Sequence, residues 1–224
     1  MASKKEARLA QKTAISSVSS REEKEQLIRS NLLSFLRHSS VLEPKKIISY
    51  VPDRFEIPAF HSHENPFSLG EEFLIFYPKV TEFGLIFLTG EKFEKGSFGI
   101  LEPIGSNRLL PEEADWIIVP ALGWNEEGAR LGRGKGFYDR SLQFVPNEKM
   151  IGLSFEELYP CAFSAEPHDL KVGQVFTDKK TIAFPRKWEK NQSHNTGEVP
   201  VLGVFWSTMY QSDNVAESFR SEKG

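Results

Sequence analysis

The sequence has little of several features that mark particular classes of protein. It contains one cysteine, Cys161, in 224 residues, so a single chain can form neither an internal disulfide nor a cysteine-rich zinc site. No segment approaches the roughly 18 apolar residues of a membrane span, so we expect a cytoplasmic protein without a membrane contact. The formal net charge of −3 lacks the basic excess of proteins whose main partner is nucleic acid.

The N-terminal segment carries two helix signals. Residues 3–15 are good helix formers, and Ser20 with Glu23 three residues later predicts a capping box at the start of a second helix that ends near residues 38–40. Its predicted apolar face consists of Leu27, Ile28, Leu32, Phe35 and Leu36. The basic first segment could also be a short transit peptide, but Glu6 and the brevity of the segment favour a surface helix.

Short apolar runs alternate with longer polar segments after residue 44. A β-branched run at residues 45–51 stops at Pro52, and further runs occupy residues 73–77, 85–88, 116–119, 150–154 and 181–184. The intervening segments are long enough for crossovers, which predicts one α/β domain over residues 1–186, with a mostly parallel sheet flanked by helices. In such sheets ligands bind beyond the carboxyl ends of strands, so we expect the chemistry in the loops after Val51, Val119 and Phe155.

Residues 187–224 differ in composition from the rest of the chain. Residues 187–198 are polar and turn-forming, which predicts a linker. Residues 199–206 could add one last strand, and residues 211–224 have the composition of a frayed tail.

A basic, glycine-rich run at residues 130–140 follows the buried strand predicted at residues 115–119. Its glycines allow the backbone to adopt positive φ and approach a ligand closely, and successive N–H groups of such a loop bind anions. A helix predicted at residues 137–144 would add its N-terminal dipole. The run contains Arg130, Gly132, Arg133, Gly134, Lys135, Gly136 and Arg140. We therefore predict a loop that holds nucleotide phosphates, and hence an enzyme.

Two plainer interpretations of the run stay open, a solvated basic loop and a weak nucleic-acid patch. The run is neither a Walker loop nor a dinucleotide fingerprint. The order of strand, glycine loop and helix nevertheless matches what an α/β phosphate site requires.

Residues 121–140, ALGWNEEGARLGRGKGFYDR, resemble the signature of the 5-formyltetrahydrofolate cyclo-ligase family. Further matches lie at Lys4 and Arg8, at residues 50–56, at residues 99–103 and at residues 168–172. The resemblance spans residues 3–184. It implies a fold similar to the sugar-phosphate isomerase and CoA-transferase type, and we expect a monomer.

The resemblance also implies a reaction. ATP and magnesium would drive closure of the formyl group of 5-formyltetrahydrofolate onto a second nitrogen, giving 5,10-methenyltetrahydrofolate, ADP and phosphate. The formyl oxygen would be phosphorylated first, because an unmodified formamide oxygen is a poor leaving group. The alternatives are a folate or nucleotide binder without turnover, an RNA-associated protein, and a sugar-phosphate or CoA enzyme of similar architecture.

The roles of individual residues are likewise implied by the resemblance. ATP would contact Lys4, Arg8, Arg130, Leu131, Gly132, Arg133, Gly134, Lys135, Gly136, Phe137 and Tyr138. The folate would contact Val51, Glu56, Arg133, Gly134, Lys135, Gly136 and Phe137. Catalysis is assigned to Lys135 and Arg130, and the magnesium ion to Asp139 and Asp169. By their sequence context alone, the N-terminal cations would be a solvated helix face and the two aspartates ordinary helix-start and loop residues.

Aromatic residues, histidines and the cysteine complete the set of candidates. Trp124, Phe137, Tyr138 and Phe155 could stack on ligand rings or pack in the core. The sequence departs from the usual family pattern at Trp124, Asn125 and Phe137, and the last removes a phenol that could form a hydrogen bond. We interpret His61 and His63 as surface histidines and Cys161 as a structural thiol.

Overall fold

The computed structural model describes residues 3–38, 44–61, 70–90, 92–96 and 99–184. The predicted linker, last strand and tail at residues 187–224 and His63 lie outside these ranges. The described α-helices are α1 (Lys4–Ser16), α2 (Arg21–Arg37) and α3 (Phe137–Ser141). Short 3-10 helices occur at Pro111–Glu113, Asn147–Lys149 and Glu156–Leu158. No helix in these ranges has the length and apolar character needed to cross a bilayer.

Among the described residues, a mixed sheet of eight strands forms the centre of the fold. Its strands in chain order are β1 (Lys45–Ile48), β2 (Phe73–Thr81), β3 (Gly84–Thr89), β6 (Arg108–Leu109), β7 (Trp116–Ile118), β10 (Met150–Leu153), β11 (Gln174–Phe176) and β12 (Thr181–Ala183). Two hairpins of the described part of the chain lie outside this sheet, β4 (Phe93–Lys95) with β5 (Leu101–Pro103), and β8 (Gly123–Trp124) with β9 (Arg130–Leu131).

The strand order is β12-β11-β10-β7-β1-β2-β3-β6. The inner strands from β11 to β2 are all parallel, whereas β12, β3 and β6 pair antiparallel at the two edges. This confirms the predicted α/β domain with a mostly parallel sheet and flanking helices. The finer likeness to the sugar-phosphate isomerase and CoA-transferase type stays a prediction.

Neighbouring residues of the central strands pack on opposite faces of the sheet. Ile47 and Ile118 contact a cluster on the face covered by α2, which contributes Ile28, Leu32 and Leu36. Ile48 and Ile117 pack on the other face with Trp124, Leu142, Val145 and Met150. Because both faces are covered, the strands are continuous apolar runs, and each fully buried Ile or Leu contributes about 1.5–3 kcal/mol.

Helix α1 packs against the β8–β9 hairpin rather than against the main sheet. Its buried Ala7 and Ile15 share a cluster with Leu122, Ala129, Leu131, Cys161 and Phe163. The helix starts at a capping box, in which Glu6 N donates to Ser3 Oγ (3.3 Å) and Ser3 N donates to Glu6 Oε2 (2.8 Å). This packing places the first turns of α1 beside the loop that follows β9.

Several local expectations were wrong. Ser20 makes no capping bond, because the short connection between helices turns at this residue with φ 47°. Leu27 is 52% exposed and lies outside the apolar face of α2. Strands β2 and β3 form a tight hairpin instead of a crossover unit, since Gly84 completes the turn between them. Helix α3 ends at Ser141 because Leu142 and Val145 turn into the core.

The sheet changes its direction of growth at β1. The chain passes from β1 to β2 on one side and returns later to β7 on the other side, so β1 pairs with both. In open α/β sheets the crevice at such a switch point, beyond the carboxyl ends of the two strands, is the usual ligand site. The loops after Val51 and Val119 meet at this crevice.

Candidate active site

A cavity of about 660 Å³ opens at the switch point. One side of the cavity, the charged wall, consists of Asp53, Glu56, Arg130, Arg133 and Lys135. Its apolar wall consists of Pro78, Val80, Leu85, Ile100 and Leu101, which come from the β2–β3 and β4–β5 hairpins. The remaining lining includes Tyr50, Val51, Pro120, Ala121, Gly132, Gly136, Phe137 and Tyr138. A site with one charged and one apolar wall fits a ligand that has an anionic end and a flat ring.

The β8–β9 hairpin positions the glycine-rich loop. Asn125 Oδ1 accepts hydrogen bonds from Glu127 N (3.0 Å) and from Ala129 N (2.9 Å), which closes the turn before β9. Both bonds need only an acceptor, so an amide oxygen serves here as a carboxylate would. The departure from the family pattern at Asn125 therefore leaves the hairpin intact.

The glycines of the loop have two different purposes. Gly134 (φ 91°) and Gly136 (φ 65°) adopt left-handed conformations that side chains disfavour. Gly132 is needed for packing, because a Cβ there would lie 2.5 Å from Nη2 of Arg130. The alternating glycines thus bend the loop around the cavity and leave room for a buried guanidinium.

Arg130 is buried and holds Asp139. Its Nη1 donates to Pro120 O (2.9 Å) and its Nη2 donates to Asp139 Oδ2 (2.8 Å). Asp139 Oδ1 also accepts from Leu170 N (3.2 Å). Burial opposes ionisation of Asp139, but the charge and hydrogen bond of Arg130 outweigh it and lower the pKa of this carboxyl. The pair fixes one end of the loop with both charges in place.

Arg133 joins the loop to the segment after β1. Its guanidinium forms ion pairs with Asp53 and, from Nε to Oε1 at 3.2 Å, with Glu56. Burial raises the pKa of Glu56, and the charge of Arg133 opposes that rise. Glu56 is therefore a desolvated carboxylate whose protonation depends on its partner.

The cations of α1 reach the same region from a distant part of the chain. Arg8 Nε donates to Gly132 O at 2.8 Å. Lys4 Nζ pairs with Asp169 at 2.7 Å and with Glu166 at 2.6 Å. Because Asp169 directly precedes Leu170, whose N–H binds Asp139, the two predicted magnesium ligands belong to adjoining segments.

The structure brings most of the predicted site residues to the cavity. The lining includes Val51, Glu56, Arg130, Gly132, Arg133, Lys135, Gly136, Phe137 and Tyr138. Gly134, Lys4, Arg8, Asp139 and Asp169 lie outside the lining, and all except Gly134 are bonded to the loop or to its neighbours. The side chain of Leu131 is fully buried in the cluster under α1, so only its backbone can meet a ligand.

Three side-chain expectations are resolved by burial. Trp124 and Phe155 are core residues, and the Trp124 indole donates to Leu153 O (2.9 Å), so neither can stack on a ligand. His61 is not on the surface but fully buried between the rings of Tyr77 and Phe93, because the β2 face and the β4–β5 hairpin enclose it. Cys161 is buried as a structural thiol should be, and burial raises its pKa to about 11.

The sequence prediction missed several residues of the cavity. Asp53 and Glu102 lie in segments that matched the family pattern, at residues 50–56 and 99–103, but no periodicity distinguished them from exposed acids. The apolar wall had no local signal, since it forms only when two hairpins pack together.

Matches to known proteins agree with this architecture. The family model described as 5-formyltetrahydrofolate cyclo-ligase family matches residues 1–178. The 5-formyltetrahydrofolate cyclo-ligase of Mycoplasma pneumoniae is 27% identical over 157 residues, which cover 69% of this chain and 85% of that protein. The enzyme of that name from Mycolicibacterium smegmatis is 40% identical over 94 residues, covering 40% of this chain and less than half, 47%, of the relative.

A solved structure extends the match to the fold. The 5,10-methenyltetrahydrofolate synthetase of Aquifex aeolicus superposes with a TM-score of 0.65 at 24% identity, covering 87% of this chain and 99% of that one. At that identity the likeness supports the fold alone. The match of the family model over most of the chain shows that it belongs to the 5-formyltetrahydrofolate cyclo-ligase family.

Proposed function

We propose that the protein catalyses the ATP- and magnesium-dependent closure of 5-formyltetrahydrofolate to 5,10-methenyltetrahydrofolate, with release of ADP and phosphate. The observation that carries the proposal is the cavity at the switch point, where the glycine–cation loop faces an apolar wall. Phosphoryl transfer depends mainly on positioning and charge neutralisation, and this loop supplies both.

The proposed reaction has two bond-forming steps. The formyl oxygen attacks the γ-phosphorus of ATP, and the bond to the β-phosphate oxygen breaks to release ADP. N10 then attacks the activated formyl carbon and loses its proton, while the carbon–oxygen bond breaks and phosphate leaves. Lys135 and Arg130 are proposed to stabilise the charge that develops on the transferred phosphoryl group. The remaining ATP contacts are proposed for Lys4, Arg8 and residues 131–138.

The folate is proposed to occupy the space between the two walls. Val51, Glu56, residues 133–136 and Phe137 would contact it, and the half-buried rings of Phe137 and Tyr138 line that space. A ring packed on the apolar wall would displace water from the cavity, and this would protect the activated formyl group from hydrolysis.

Asp139 and Asp169 offer donors of the type that magnesium prefers, since both present carboxylate oxygens. In the structure, Asp139 pairs with Arg130 and Asp169 pairs with Lys4. When magnesium binds, each carboxylate would either contact both the ion and its basic partner or leave that partner for the ion. When bound, magnesium would neutralise phosphate charge. We further propose that the protein acts as a cytoplasmic monomer.

The direct test is spectroscopic. We expect the protein, 5-formyltetrahydrofolate, ATP and magnesium together to produce the near-ultraviolet absorbance of the methenyl product, and omission of ATP or chelation of magnesium to abolish it. A chain that binds folate without ATP-dependent absorbance would instead be a binder without turnover, and the proposal would be wrong.

A further inference from the structure

Three carboxylates line the described part of the cavity, and they differ in how much hydrogen-bonding capacity is already used. Glu56 accepts from Arg133 Nε (3.2 Å) and from Asp53 N (3.0 Å), one bond on each oxygen. Asp53 pairs with Arg133 and accepts from Phe55 N (2.8 Å). The acceptor oxygens of both residues are therefore engaged by the protein itself. The third carboxylate is Glu102.

Glu102 is only 8% exposed and lies at the apolar wall. Its Oε1 accepts one long hydrogen bond, from Val80 N at 3.4 Å. Within the described ranges no cation forms an ion pair with Glu102, and its Oε2 accepts no hydrogen bond. Glu102 therefore keeps acceptor capacity that no described protein donor uses, at a position in the cavity lining where a ligand can supply the donors.

The absence of a side chain at Gly96 leaves room for the carboxyl group of Glu102. A Cβ at Gly96, on the other side of the β4–β5 hairpin, would overlap the carboxyl group of Glu102. Glu94 lies opposite Glu102 in the hairpin register but is exposed and pairs with Lys79 at 3.0 Å. The two glutamates of the hairpin thus have different surroundings, one solvated and paired, the other buried beside the cavity.

We propose that Glu102 determines pterin recognition by accepting hydrogen bonds from the 2-amino group and N3–H of the substrate ring, an assignment that rests on the proposed function. These two donors lie side by side on one edge of the pyrimidinone ring, and a carboxylate can accept both at once. The ring itself would pack against Val80, Ile100 and Leu101. The formyl group at the other side of the pterin then faces the charged wall, where the phosphates are proposed to bind.

The test measures binding and turnover with two ligands, 5-formyltetrahydrofolate and its analogue with a methyl group in place of the 2-amino group. Calorimetric titration without ATP gives Kd, and the absorbance assay gives KM and kcat. We expect Glu102→Gln to weaken binding of the natural ligand by about 10- to 100-fold. The amide NH2 of the new side chain is a donor, and it would face one of the two donors of the ring. Binding of the analogue should change less than about twofold, because one of the two donors is absent. The KM for ATP should stay unchanged.

Two further variants separate recognition from folding. Glu94→Gln is the matched control and should leave Kd and KM unchanged. Gly96→Ala keeps the charge of Glu102 but displaces its carboxyl group. Because the displaced group is the flexible end of a side chain, the protein should stay folded. Binding of the natural ligand should weaken more than binding of the analogue. If Glu102→Gln weakened binding of both ligands equally, or of neither, the assignment would be wrong. The proposed function would still stand as long as the wild-type protein turned over its substrate. A wild-type protein without turnover would overturn the proposed function, and the assignment with it.

Discussion

The charged and apolar walls of the cavity are built in opposite ways. Four side chains of the charged wall are held by ion pairs, Arg130 with Asp139 behind it, and Arg133 with Asp53 and Glu56. In the apolar wall, Val80 and Leu101 pack through two hairpins. Paired charges are fixed before a ligand arrives, whereas apolar surface gains its energy only when a ligand covers it. We infer that the charged wall sets the rate and the apolar wall sets the affinity for folate.

The largest expected effect comes from removing a cation of the charged wall. We expect Lys135→Ala to lower kcat by about 100- to 1000-fold, the range seen when a preorganised charge-stabilising group is lost. The fold should be unaffected, because the side chain is exposed. Steady-state kinetics and thermal unfolding check this prediction. Lys179→Ala, an exposed cation on the far edge of the sheet, serves as the control, and equal kcat values for the two variants would remove Lys135 from catalysis.

The next effect is on stability. Arg130→Met should lower the free energy of unfolding by about 3 kcal/mol, because it leaves Asp139 ionised, part-buried and without its counterion. Adding Asp139→Asn should restore part of that loss. Since the pKa of Asp139 is lowered in the folded protein, its stabilisation is present above its ordinary pKa and is lost as pH falls through the folded value.

Urea unfolding at several pH values measures both points. Wild type should lose stability on acidification more steeply than Arg130→Met does. If the double variant were as destabilised as the sum of the two single variants, the ion pair would not couple the two residues.

The sequence predicted the charged wall far better than the apolar wall, for a physical reason. Gly134, Lys135 and Arg133 belong to one short run in which glycine spacing and charge are visible without a fold. By contrast, Val80 and Ile100 become neighbours of one cavity only after strand β2 pairs with β3 and the β4–β5 hairpin packs on it. Long-range pairing of this kind has no signature in a local window of sequence.

The fold was predicted with the same limits. Buried runs such as residues 116–119 and 150–154 gave the parallel centre, because both faces of those strands are covered. The antiparallel pairing at the two edges was not predicted, because no local pattern of residues shows which strand lies at the edge of a sheet. His61 was placed on the surface because its local sequence is polar, whereas two aromatic rings from elsewhere enclose it.

A smaller effect tests the apolar wall directly. Val80→Ala should raise the KM for 5-formyltetrahydrofolate by about 5- to 10-fold, as expected for two methyl groups lost from a contact surface. The KM for ATP and kcat should change little. Val18→Ala, a half-buried valine outside the cavity lining, is the matched control. A fall in kcat without a change in KM would contradict the proposed division between the walls.

The smallest expected effect is on the pKa of Glu56, which two substitutions in the charged wall should shift in opposite directions. Burial raises the pKa of Glu56, Arg133 lowers it and Asp53 raises it. We therefore expect Arg133→Met to raise the pKa of Glu56 further and Asp53→Asn to lower it. Carbon-13 NMR titration of the glutamate side chains measures both shifts. The internal control is Glu156, whose pKa is lowered by its hydrogen bond with Lys180.

The sign of the matching stability change follows from linkage. Because the folded pKa of Glu56 lies above its ordinary value, ionisation destabilises the fold, and this loss develops as pH rises from the ordinary pKa through the raised one. Arg133→Met should extend that loss to higher pH, and Asp53→Asn should confine it to lower pH. If neither variant shifted the pKa of Glu56, burial alone would govern this carboxyl, and the ion pairs would not preset the charge of this wall.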